Sequence, residues 1–186
     1  MKLIDMHCDT LLGTAYGEQV DLYENQKMVD FKRLRSAGFS GQFFAMCLMP
    51  EKSFANRGMT KPDDMTFMKE LSDCLYRNIE AHSDIAAFAG NREDLIRNEK
   101  EGKLSCFLTA EDGNGIGGTL EGLEKMYEMG NRLISVTWNM ENCLGYPNSF
   151  EPEKMALPLK PFGMEMIDAM NRMGIIVDVS HLSDGG

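Results

Sequence analysis

The sequence contains no C-x-x-C pair, no cluster of Lys and Arg that offsets its acidic excess, only one tryptophan, and no apolar run near the ~18 residues that span a bilayer. Each absence excludes something. Five cysteines (Cys8, Cys47, Cys74, Cys106 and Cys143) are an odd number at wide spacing, and three sit in apolar, strand-like runs, so they read as reduced core thiols rather than a disulfide framework. A formal net charge of −10 with no compensating basic patch argues against nucleic acid or an anionic membrane as partner. The N-terminus carries one lysine before chemistry-bearing residues begin, which leaves no charged and apolar leader and predicts a cytoplasmic protein. There is no G-x-S-x-G turn, so His82-Ser83-Asp84 is a sequence neighbourhood and not a nucleophilic triad; His82 is expected at a helix end.

The 186 residues, 43% hydrophobic and 26% charged, suit a single soluble domain spanning 1–186 with a sizeable core. The sixteen methionines scatter through the periodic segments and read as gap-filling core residues. Apolar alternation or short apolar runs predict strands at 3–9, 41–49, 104–111, 132–138 and 174–181, with a shorter one at 85–89. Helical spacing predicts helices at 62–81, 92–101, 120–129 and 162–173, the last two stopped by Gly130 and Gly174. Segments 13–38 and 139–160, rich in Gly, Asn and Pro, read as long connections. Strands alternating with helices imply an α/β fold with a parallel sheet, either doubly wound or a (β/α)8 barrel. The first strand does not run into a G-x-G-x-x-G turn, as a dinucleotide-binding fold would require. Gly113-Asn114-Gly115-Ile116-Gly117-Gly118 is glycine-rich but is followed by Thr119 rather than Lys, and so reads as a flexible loop beside a site more than a phosphate cradle.

The chemistry collects at strand ends. Period-2 alternation puts His7 and Asp9 on one face about 7 Å apart, and turns Cys8 to the other, toward the core. Asp5 precedes them on the same face, where a carboxylate could orient a ligand. Glu111 closes the strand Ser105 to Ala110, and His181 closes the last strand. In parallel α/β folds the strand C-termini form the active face, so all four converge despite their separation in sequence. Imidazole and carboxylate ligands suit Zn²⁺ or a similar divalent ion, and a carboxylate such as Glu111 is suited to bridge two.

Five segments carry a resemblance to a family: Ile4-Asp5-Met6-His7-Cys8-Asp9-Thr10, Gln42-Phe43-Phe44, Thr109-Ala110-Glu111-Asp112-Gly113, Arg132 to Asn139, and Asp178 to Asp184. In order and spacing the sequence resembles the renal or membrane dipeptidases, binuclear zinc peptidases of the amidohydrolase group. The resemblance implies a (β/α)8, TIM-like barrel of which about the first five strands are present. It implies two divalent ions, most simply Zn²⁺, with His7 and Asp9 on one, Glu111 bridging both, His181 on the second, and a bridging hydroxide attacking a small dipeptide. Glu111 is thereby also the catalytic carboxylate. Where the family's best-known members place a histidine this chain has Trp138, which shifts attention to Trp138, Asn139 and Asn142 as substrate contacts or oxyanion donors. The family's second histidine for the second ion, its substrate-binding arginine and a late aspartate have no counterpart in these 186 residues, so the second ion's site is expected to be incomplete. A full barrel needs about 250 residues, so the sequence reads as the N-terminal part of a longer enzyme, or a truncated product that is inactive alone and that forms a homo-oligomer or associates through exposed barrel edges. Two other readings stay open: an amidohydrolase acting on cyclic amides or esters, and a non-catalytic half-barrel with a binding or scaffold role.

Overall fold

A computed structural model describes residues 2–186. Six strands alternate with helices: β1 (Leu3–Asp5), α1 (Leu12–Ala15), α2 (Phe31–Ser36), β2 (Phe39–Cys47), α3 (Glu51–Ala55), α4 (Asp64–Ala81), β3 (Ala86–Phe88), α5 (Arg92–Lys100) and β4 (Leu104–Glu111), then α6 (Leu120–Glu128), β5 (Asn131–Ser135), α7 (Pro152–Met155), α8 (Pro161–Met173) and β6 (Ile176–Asp178). A 3-10 turn, Gly113–Ile116, follows β4. By packing, the chain divides into a unit running through Thr109 and a unit from Ala110 to Gly186, and the division falls inside β4.

In the first unit β1 pairs parallel with β2, β2 neighbours β4, and β3 pairs parallel with the start of β4, Ala86 opposite Leu104. Every residue of β4 is buried, as is β2 from Gly41 onward, the pattern of parallel strands covered on both faces. Phe43 stacks on Phe107 with ring centroids 4.2 Å apart. Phe31, Phe44, Phe54 and Phe67 are fully buried with Met68, Leu71 and Leu75 of α4, whose three- and four-residue spacing lays an apolar stripe against the sheet. Asp63 caps α4, its side chain accepting the Thr66 N–H, and His82 ends it, stacked on Tyr23 at 4.6 Å.

In the second unit the end of β4 is followed in the sheet by β5 and β6, with Leu133 opposite Ile176 and Ser135 opposite Asp178. α8 starts at Pro161, where a missing N–H costs nothing, and stops at Gly174, whose φ of 73° is glycine territory. Gly163, Met166, Ala169 and Met170 form its buried stripe.

Several predicted boundaries shift. The first strand ends at Asp5 rather than residue 9, β5 at Ser135 rather than 138, and β6 covers Ile176–Asp178 of the expected 174–181. The connection 13–38 contains α2, and α3 follows β2 unannounced. Both are helices of five or six residues, too short for a periodic stripe to accumulate. What fixes α2 is its cap: buried Asp30 accepts the Arg33 N–H at 2.7 Å and Arg33 Nε at 2.7 Å, and the Asn25 N–H at 3.3 Å.

Burial raises the Asp30 pKa, but the Arg33 and Asn25 hydrogen bonds and the Arg33 charge outweigh it, and the net result is a carboxyl below its ordinary value. The folded pKa thus lies below the unfolded one, so the stabilisation is complete above pH ~4 and is lost as pH falls through the lowered value. Asp30→Ala is therefore expected to cost about 1–2 kcal/mol at neutral pH. The gap to wild type, read from denaturant midpoints across a pH series, should narrow in acid; a gap that stays constant would separate it from the carboxylate's ionisation.

Candidate metal centre

The segment after β1 keeps its hold on β2 through one residue. The Cys8 N–H donates to the Phe43 carbonyl (3.0 Å) and the Ala45 N–H to the Cys8 carbonyl (2.9 Å), which places Cys8 opposite Phe44. Asp5 pairs with Gln42, so three steps on this strand answer two on β2. That extra residue is a β-bulge, a device that re-aims side chains beside functional sites. Cys8 is turned inward and buried, its thiol pushed up to about 12 chiefly by burial. His7 and Asp9, on either side, face outward, and His7 Nε2 lies 3.4 Å from Asp9 Oδ1. Asp5 Oδ1 lies 3.4 Å from the His7 backbone N–H, a long contact to main chain.

Glu111, the last residue of β4, is buried. His181 Nε2 approaches Glu111, 3.2 Å from its Oε1. Donors sharing a tetrahedral ion at bond lengths of about 2.1 Å stand ~3.4 Å apart, so both imidazole–carboxylate pairs already have the spacing of neighbouring ligands. Each pair, an imidazole with a carboxylate, offers donors that fit a borderline divalent cation.

An aspartate ties the backbone just after Glu111, and another ties the turn that leads to His181. Asp112 Oδ1 accepts the Asn114 N–H (3.0 Å) and Asn142 Nδ2 (2.7 Å). Gly113 then packs so closely that a Cβ would sit 2.3 Å from Leu144 Cδ1 and 2.9 Å from the Val136 carbonyl. Gly113, Gly115 and Ile116 are buried, so the glycine-rich stretch is a packed 3-10 turn rather than an open loop. After β6, Asp178 accepts Ser135 Oγ (2.5 Å) across the sheet, and Ser180 N (3.0 Å) and Ser180 Oγ (2.5 Å) on its own turn. The His181 carbonyl accepts Thr137 Oγ1 (3.1 Å) and the Asn148 N–H (2.8 Å), fixing the main chain that presents the imidazole.

The expected substrate contacts fall apart into different kinds. Trp138 is half-buried just past β5 and Asn139 is exposed. Asn142 is buried and fully occupied: Nδ2 donates to Asp112 Oδ1 and the Val136 carbonyl (2.7 Å each), and Oδ1 accepts the Leu144 (2.8 Å) and Gly145 (3.1 Å) N–H groups. An amide so engaged has nothing left for a substrate, and Asn142 is a loop anchor. Asp112 and Asp178 were missed as site-shaping residues. Their signal was only that each lies within three residues of a candidate ligand.

A parallel sheet with imidazoles and carboxylates just beyond its strand ends is a layout shared by metal-dependent hydrolases. The chain belongs to the membrane dipeptidase family, peptidase family M19, whose model matches residues 1–186. Dipeptidase tcpJ of Claviceps purpurea (strain 20.1) is 28% identical over 159 residues, 84% of this chain and 37% of its own. The crystal structure of dipeptidase AC, an M19 metallopeptidase, superposes with a TM-score of 0.83 at 21% identity over 100% of this chain and 58% of that one. A metallopeptidase from Rhodobacter sphaeroides, solved with a phosphinate mimic of L-Ala-D-Ala, gives 0.79 at 19% identity over 100% and 60%. The fold class is therefore the expected one, the first strands of a (β/α)8 barrel. The chain spans 37% of its curated relative and 58% and 60% of the two solved chains.

Removing the Asp178 carboxylate strips three acceptor contacts from the turn before His181. Asp178→Ala is expected to lower the unfolding free energy by about 2–3 kcal/mol. Asp178→Asn, whose amide oxygen still accepts from Ser180, should lose clearly less; equal losses, measured by chemical denaturation, would show that the turn does not depend on these bonds.

Proposed function

We propose that this chain supplies the first half of a zinc-dependent dipeptidase centre. His7 and Asp9 would hold one ion, His181 would help hold a second, and Glu111 would be shared between them. The observation that carries the proposal is a pair of imidazole–carboxylate contacts at ligand spacing, His7 with Asp9 and His181 with the buried Glu111. Family membership and the dipeptidase relatives support a dipeptide as the substrate.

When bound, the two ions supply a nucleophilic water at neutral pH and polarise the scissile carbonyl. The chain's own residues set the stage for that chemistry. Glu111 brings negative charge into a buried position, so it favours cations over neutral ligands there. The Cys8 ladder bonds hold His7 and Asp9 at fixed spacing, which limits the reorganisation needed to bind. Trp138 and Asn139, on the connection that Asn142 anchors, are the side chains we assign to substrate contact.

The proposal extends to a cytoplasmic protein. Among the described residues no helix is long and apolar enough to cross a membrane, and all five cysteines are free thiols, four of them buried. Exposed Leu3, Ile4 and Met6 around β1, with Ile176 and Val179 at β6, support association through these strands.

The test is metal analysis and dipeptide hydrolysis by the intact protein. Zinc should co-purify, a chelator should abolish hydrolysis and added zinc restore it. Glu111→Gln should lower kcat/KM by on the order of 10³-fold. Full activity in the chelated enzyme would sink the reading.

A further inference from the structure

Asp112 is the one non-glycine residue with positive φ among the described residues, at φ 88° and ψ 110°. An L side chain is strained there and glycine would take the conformation freely. Yet the sequence puts an aspartate at this position, one residue past Glu111, and buries it. The side chain must therefore return something that the backbone gives up.

It returns a clamp. Asp112 Oδ1 takes the Asn114 N–H and Asn142 Nδ2, and Asn142 is held in turn by the Val136 carbonyl and the Leu144 and Gly145 amides. Lys160, the residue that precedes α8, donates from Nζ to the Asn142 carbonyl at 2.6 Å and pairs with Glu141 at 2.6 Å. A continuous run of bonds thus joins the start of α8, the connection carrying Trp138 and Asn139, and the residue beside Glu111. Relaxing Asp112 to negative φ would turn the 111–112 peptide and swing the end of β4 with it.

We infer that Asp112, locked by Asn142, is the positioning residue of this centre: it holds a strained backbone that fixes where the Glu111 carboxylate points. This rests on the metal reading of Glu111 given above. Neither residue touches the ion or the substrate in this scheme, so the effect is one of aim and not of charge.

The intact protein and three variants separate the possibilities, with zinc affinity read by chelator competition and ligand geometry by the visible spectrum of the cobalt-substituted protein. Asp112→Gly relieves the strain and removes the clamp. Its ion-free unfolding midpoint should stay near wild type, while zinc affinity falls about 10- to 100-fold and the cobalt spectrum shifts. Asp112→Asn keeps an oxygen that accepts both bonds and should bind zinc within a few-fold of wild type. Asn142→Ala should weaken zinc binding as Asp112→Gly does, and the double variant should be no weaker than the worse single one, because both cut the same link. If Asp112→Gly does not fold, the comparison of Asn142→Ala with Asp112→Asn decides by itself. Wild-type affinity in Asn142→Ala, or a loss in Asp112→Asn as large as in Asn142→Ala, overturns the inference and leaves the metal centre standing. A wild-type protein that binds no zinc overturns the metal centre as well.

Discussion

A carboxylate buried at the end of a buried strand is the constraint around which the rest is arranged. β4 is enclosed along its whole length, and its last side chain, Glu111, is acidic where every preceding one is neutral. A charge taken out of water is costly unless partners replace the lost hydration. Here an imidazole, His181, stands 3.2 Å away. A cation is a partner that answers a buried carboxylate set beside an imidazole.

Around that carboxylate the chain uses short side chains to discipline backbone beyond the strands. Asp112 and Asp178 each follow or close a strand, each gathers N–H or O–H donors from its own turn, and each reaches a second segment. Regular strand ladders end before the residues of interest do, at Asp5, Glu111, Ser135 and Asp178. Local side-chain bonds therefore take over where sheet bonds stop. The bulge before Cys8 performs the same task on the first strand by main chain alone.

The long elements were legible because their signals repeat. α4 advertises its buried face over eighteen residues, and β4 is a largely apolar run whose predicted limits, 104–111, coincide with the observed strand. α2 and α3 were not legible, since five or six residues hold too few repeats and their stability comes from caps and contacts. His7, Asp9, Glu111 and His181 could be picked out because a polar residue closing an apolar strand is conspicuous. Asn142 misled: an asparagine near a site reads as a substrate contact, and only its four hydrogen bonds reveal an anchor. Period-2 counting also assumes a ladder without bulges, and the chain before Cys8 has one.

The sequence by itself determined the alternation of strands and helices, the burial of β2 and β4, the absence of a membrane-crossing helix and the residue types available to a cation. These follow from periodicity and composition, which are properties of local chain segments. Tertiary structure alone decided that the first strand bulges before Cys8, that Gly113–Ile116 packs as a turn, and that Asp112 bears a backbone strain beside Glu111. Each of those depends on a partner distant in sequence, Phe44 for the bulge, Leu144 for the turn and Asn142 for the strained aspartate, and no local pattern encodes where such partners will meet.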